Sequence, residues 1–233
     1  MHVSSSFVLA PNPNALQDLA ADRTRFTIFS KYMIIAGGQG ELIRILIREL
    51  PEALFAEGQS STTSTWGSSI SDFYSTGGGP HVDLFISQEP LYEESMKNFT
   101  ILAYHRPVLG SNQMSVYQVP LHTIQKTATS QKLEPECTFL LRRNPSLEIV
   151  CLGKGGRRVV WLEQQWDMGE YRLMKATIPT TLGQCLLTQS LQPLAMAFPF
   201  QDHTCKLLWF EESAGRVWVG VHTGEVYILD FQP

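Results

Sequence analysis

Hydrophobic residues recur at alternate positions in short runs broken by glycine and small polar residues, a period-2 pattern that points to half-buried β-strands. It is clearest near the C-terminus. Residues 206–210, 216–221 and 226–231 are rich in β-branched and aromatic side chains, and Glu211-Glu212-Ser213-Ala214-Gly215 and His222-Thr223-Gly224-Glu225 separate them. The pattern predicts a three-stranded antiparallel meander. In its middle strand Val217, Val219 and Val221 share one face, while Trp218, Gly220 and His222 share the other. The glycines between the runs supply the positive-φ positions that tight turns require.

The same layout of strand, glycine turn and strand recurs over residues 32–46, from Tyr32-Met33-Ile34-Ile35-Ala36 through Gly37-Gly38-Gln39-Gly40 to Leu42-Ile43-Arg44-Ile45-Leu46. Weaker echoes pair residues 99–104 with 113–119, and 147–152 with 157–162 across Gly153-Lys154-Gly155-Gly156. This is a degenerate internal repeat. The closing strands near Val116 and Val160 stand about 44 residues apart, within the ~40–45 of a four-stranded propeller blade. Residues 58–80 are dominated by Ser, Thr and Gly and end in Gly77-Gly78-Gly79-Pro80. They offer little apolar surface to bury and read as a mobile insertion in which Trp66, Ile70, Phe73 and Tyr74 are the groups able to pack. Residues 127–135 read as an ordinary connection between strands.

Composition narrows the classes. With 43% hydrophobic and 10% aromatic residues in 233, the chain can bury a real core, and its 17% charged fraction is too low for a charge-laced helical bundle. Net charge is −4, with 18 Lys and Arg in no dense cluster, so neither nucleic acid nor anionic membrane is an expected partner. No apolar run approaches the ~18 residues of a membrane span, and no basic region precedes Phe7-Val8-Leu9-Ala10 to make a signal peptide. Cys137, Cys151, Cys185 and Cys205 are far apart, without a Cys-x-x-Cys pair. Four reduced thiols in an intracellular protein, cytoplasmic or nuclear, are expected. Asn98-Phe99-Thr100 fits a glycosylation acceptor, which matters only in a secreted chain.

The terminal stretch from Cys205-Lys206-Leu207-Leu208-Trp209-Phe210 through Glu211-Glu212-Ser213-Ala214-Gly215-Arg216 to Val226-Tyr227-Ile228-Leu229-Asp230-Phe231 resembles the last blade of WD40-like β-propellers. More narrowly, it is similar to the tails of large fungal F-box proteins. The likeness is close over about the last 28 residues and looser over 32–46. It implies a propeller that presents a protein-binding face, the substrate-recruiting part of a ubiquitin-ligase receptor. The F-box that docks the Skp1 adaptor has no counterpart here, so ubiquitin-ligase components are implied as partners only for a full-length form. A propeller ring takes about four to eight blades, and this length has room for about four or five.

A rival reading takes residues 32–36 as a first parallel strand, Gly37-Gly38-Gln39-Gly40 as a phosphate loop and residues 41–50 as a helix, the plan of an NAD- or NADP-binding α/β enzyme. Against it, Ile43 stands where the third glycine belongs, and Ile43, Ile45 and Ile47 alternate as in a strand. Gly153-Lys154-Gly155-Gly156-Arg157-Arg158 lacks the order of a P-loop and reads as a basic hairpin turn. His81 with Asp83, and His203 with Cys205 and Asp202, lack the further convergent groups that a metal or a cysteine nucleophile needs. No nucleophile elbow and no His-Glu-x-x-His helix is present.

The expectation is therefore an all-β fold over residues 1–233, a partial WD40-like β-propeller of antiparallel meander blades with the mobile 58–80 insertion and a terminal blade at 205–233. Its expected role is that of a non-catalytic protein–protein interaction module without cofactor or metal, binding a protein partner. Exposed aromatics and arginines dominate interface energetics, which makes Trp66, Tyr104, Arg106, Arg143 and Trp166 the candidate contacts.

Overall fold

A computed structural model of the chain describes residues 24–39, 41–50, 70–76, 81–93, 96–105, 112–121, 130–141, 149–164, 171–178, 187–190 and 205–231. Among these residues there is no α-helix, and the strands form four sheets. The first sheet runs β1 (Arg25–Phe29), β2 (Tyr32–Gln39), β3 (Leu42–Glu49), β4 (Ile70–Thr76), each antiparallel to the last. In the second, β5 (His81–Ile86) and β6 (Leu91–Glu93) both pair with β7 (Met96–His105). The second sheet continues from β7 through β8 (Gln113–Pro120), while the first gains a further strand, β9 (Ser130–Lys132), parallel to β4. Beyond β8 the second sheet ends in β10 (Cys137–Leu140). The third is a meander of β11 (Val150–Leu152), β12 (Arg158–Gln164), β13 (Tyr171–Thr177) and β14 (Leu187–Ser190). The fourth holds β15 (Cys205–Glu211), β16 (Arg216–Val221) and β17 (Val226–Asp230).

Strand alternation sends adjacent residues into different cores. Ile34, Ile45, Ile47 and Phe73 of the first sheet meet Phe99, Ile101 and Val119 of the second, with the Phe29 and Phe99 rings edge to face at 5.7 Å. On the opposite face of the second sheet, Leu102, Tyr104, Met114 and Val116 pack on Val159, Trp161 and Ala176 of the third. The other face of the third sheet sets Val160, Leu162 and Leu173 against Leu208, Phe210, Val217 and Val219 of the fourth. The sheets thus stack in series, the middle two covered on both faces. Among the described residues the first and fourth sheets share no core, and no sheet closes on itself.

The terminal meander lies where the sequence pattern puts it, with Val217, Val219 and Val221 buried. Three expectations are corrected. Residues 70–76, inside the expected mobile insertion, form β4: Phe73 and Ser75 are buried, and Arg44 Nη2 donates to Asp72 Oδ2 at 2.6 Å to hold β4 on β3. Two-residue alternation among serines escapes a composition reading, because the buried face needs only Phe73 to anchor it. The expected connection over 127–135 contains β9, whose parallel pairing is non-local and invisible to hairpin signals. The Val116–Val160 spacing joins unlike strands, since β8 is third in its sheet and β12 second; the second strands begin at Tyr32, Met96, Arg158 and Arg216, a longer period than a WD40 blade.

The α/β alternative needs a helix where β3 stands. Gly37 and Gly38 lie inside β2, paired with Arg44 and Ile43 of β3, so this stretch is a hairpin and no helix N-terminus follows the glycines. Among the described residues no helix is long and apolar enough to cross a membrane.

Candidate functional site

Turns from the second, third and fourth sheets meet around residues 153–157. The turn between β11 and β12, Gly153-Lys154-Gly155-Gly156-Arg157, is closed by Gly153 N–H donating to the Arg158 carbonyl at 2.8 Å and Gly156 N–H donating to the Gly153 carbonyl at 2.9 Å. Its Lys154 carbonyl accepts from the backbone of Gln88 at 3.0 Å and of Glu89 at 2.9 Å, tying it to the second sheet. Lys154 Nζ also pairs with Glu89 at 2.6 Å. The glycines permit this closeness. At Gly156, φ is +71°, and an added Cβ would stand 2.5 Å from Thr100 Oγ1 and 2.9 Å from Ser87 Cβ.

On the other side the same turn receives Glu212 of the fourth sheet. Gly155 N–H donates to Glu212 Oε2 at 2.7 Å, and a Cβ on Gly153 would lie 2.6 Å from the carboxyl carbon. Burial pushes the Glu212 carboxyl above its usual range, while the N–H groups of Gly155 and, more weakly, of Arg157 and Arg158, with the Arg158 charge, pull it back. Successive backbone N–H groups of this kind make an anion-binding concavity. Here the anion is the chain's own carboxylate. The Gly/Lys signature of this turn thus cradles a carboxylate of the same chain.

Beside this junction lies a cleft of about 760 Å³ whose lining includes Glu89, Lys154, Arg157, Arg158, Trp209 and Ser213. Lys154 is committed to Glu89, and Arg158 faces Glu212. Arg157 is exposed and has no ion pair among the described residues, and Trp209 is exposed on the same cleft wall. The arrangement offers the Arg157 guanidinium, without an ion pair among the described residues, beside one aromatic face and hydrogen-bonded backbone turns. Such a surface suits recognition, and the described residues hold no group of three His, Cys, Asp or Glu able to bind a metal.

Of the five candidate contacts, Tyr104 is fully buried between the second and third sheets, which makes it a core residue rather than a surface contact. Its two-sided strand hides this from the sequence, because Tyr104 and its neighbour Ala103 are both buried on opposite faces. Trp66, Arg106, Arg143 and Trp166 lie outside the described residues, as do Asp202 and His203. Asp83 serves the fold, pairing with Arg25 at 3.0 Å across the first and second sheets and accepting from Leu84 N–H at 2.8 Å. Cys137 and Cys151 are free thiols that burial, first of all, pushes up to about 11, so both stay protonated at neutral pH. Cys205 is a buried free thiol, and Cys185 lies outside the described residues.

Sequence reasoning missed Arg157 and Trp209. A signal existed in the basic glycine turn itself, but nothing local places β15 against it. Neither a family model nor a curated protein matches this chain.

Proposed function

We propose that the chain is a non-catalytic protein-interaction module, its four sheets acting as propeller-type blades, and that the cleft beside the Gly155–Glu212 junction receives a segment of a protein partner. The observation that carries this reading is the pairing of an uncommitted Arg157 with an exposed Trp209 on turns locked by backbone hydrogen bonds. Arginine and tryptophan are the residue types that dominate interfaces, and a rigid frame spares the cost of ordering loops on binding. A partner carboxylate would meet Arg157 while an apolar side chain covers Trp209. The likeness of the last three strands to the tails of F-box proteins supports a substrate-recruiting role for the module within a longer receptor.

The test is a photo-crosslinking residue placed at exposed Ser213, on the cleft, and at exposed Lys132, away from it. The reading expects a discrete protein adduct from position 213 that is lost with Arg157→Glu and absent from position 132. Adducts indifferent to both changes, or thermal stabilisation of the chain by NAD or NADP, would overturn it.

A further inference from the structure

Seven large hydrophobic side chains are exposed among the described residues, and all but Leu140 lie on the two end faces of the stack. On the fourth sheet the outward face carries Leu207 (59% exposed), Trp209 (47%), Val226 (57%) and Ile228 (53%). Cross-strand pairing makes them one patch: Trp209, Trp218 and Ile228 form a row, Leu207, Gly220 and Val226 the next, and the Trp209 and Trp218 rings meet edge to face at 5.9 Å. On the first sheet Phe26 (67%) and Ile28 (52%) point away from the core, on the face opposite Ile34. Exposed apolar patches of this extent mark interaction surfaces.

We propose that the Leu207, Val226 and Ile228 part of the outward face of the fourth sheet, leaving Trp209 to the cleft, docks on the β1 side of the outward face of the first sheet in a second copy of this chain, two chains pairing head to tail about a two-fold axis. The three junctions within one chain are already contacts of this kind, one sheet face on the next, so the new junction continues an existing stack. Head-to-tail pairing covers the exposed apolar residues of both faces, whereas fourth sheet on fourth sheet leaves Phe26 and Ile28 in water; Met33 and Leu46 on the same face of the first sheet are already buried, which confines the contact to the β1 side. A closed pair forms the junction twice, so each needs to supply only about half of the roughly 1,600 Å² of a stable interface. Phe26, Ile28, Leu207, Val226 and Ile228, each more than half exposed, are the apolar side chains it covers.

Light scattering of the full chain over a concentration series tests this, with Ile228→Glu and Phe26→Glu as single variants, and Leu207→Glu and Ile28→Glu as second choices should either lose its β-sheet circular dichroism. The wild type is expected at twice the chain mass and each variant at the chain mass. Arg157→Glu, in the cleft, is expected to leave the mass unchanged, which separates self-association from partner binding. A wild type that stays at the chain mass up to millimolar concentration would overturn the proposal. So would a Phe26→Glu variant that still pairs, or open-ended growth with concentration.

Discussion

The backbone N–H of Gly155 donates to Glu212 Oε2 at 2.7 Å, joining the third sheet to the fourth through residues 57 apart in the chain. Replacing Glu212 with Ala removes this acceptor at a half-buried turn and is expected to cost about 1 kcal/mol in denaturant unfolding. Glu212→Gln keeps an acceptor for Gly155 and sheds the charge.

The two side chains, Glu and Gln, also differ with pH. Burial raises the folded-state value of Glu212 above its ordinary 4.5. A raised carboxyl contributes stability that is fully present below the unfolded value and is lost as pH rises through the folded one. Thermal unfolding is therefore expected to show wild type gaining on Glu212→Gln as pH falls from 7 towards 4. A constant difference would refute the assignment.

Gly156 and Gly224 both adopt positive φ, at +71° and +91°, yet only Gly156 is crowded. An added Cβ at Gly224 meets no atom within 4 Å, and Gly224→Val is expected to lose about 1–2 kcal/mol, chiefly from backbone strain. Gly156→Ala adds a clash with Thr100 and Ser87, and about 2–4 kcal/mol is expected. Chemical denaturation of both variants ranks them. Equal losses would mean that the Gly156 turn is not packed on the second sheet.

Tyr104 tests the division between core and surface. Its hydroxyl is buried without a hydrogen-bond partner among the described residues, so Tyr104→Phe is expected to be neutral or stabilising by up to about 1 kcal/mol. Tyr104→Ala opens a cavity between two sheets and is expected to cost about 3–5 kcal/mol. Urea unfolding of the two variants checks both values, and a near-neutral Tyr104→Ala would place the side chain back at the surface.

The thiols give a second pH dependence. Cys137 and Cys151, each raised to about 11, are expected to resist alkylation at pH 8 in the folded chain and to react readily once it is unfolded. Their raised values contribute stability that is present below the ordinary thiol range, near 9, and lost as pH climbs through about 11. Fast labelling of the native protein would contradict their burial.

Local patterning accounts for what was legible. The runs that became β2, β3, β7, β8, β15, β16 and β17 are five or more residues long and rich in β-branched or aromatic side chains, so propensity marks them as strands. β4 hid behind serine-rich composition, with Phe73 the large side chain buried at its centre, and β9 is short and pairs with a strand distant in sequence. The cleft was legible only in part. Its glycine turn was visible, but Glu212, Trp209 and Arg157 meet through sheet stacking, which no single run of residues encodes.

An all-β architecture is the premise of the interaction reading, and far-UV circular dichroism of the full chain tests it most directly. The account predicts a strand-dominated spectrum with little helical signal. Helix in roughly a third of the residues, the share common in globular domains, would contradict it and return the glycine-rich hairpin at β2 and β3 to a nucleotide-binding reading.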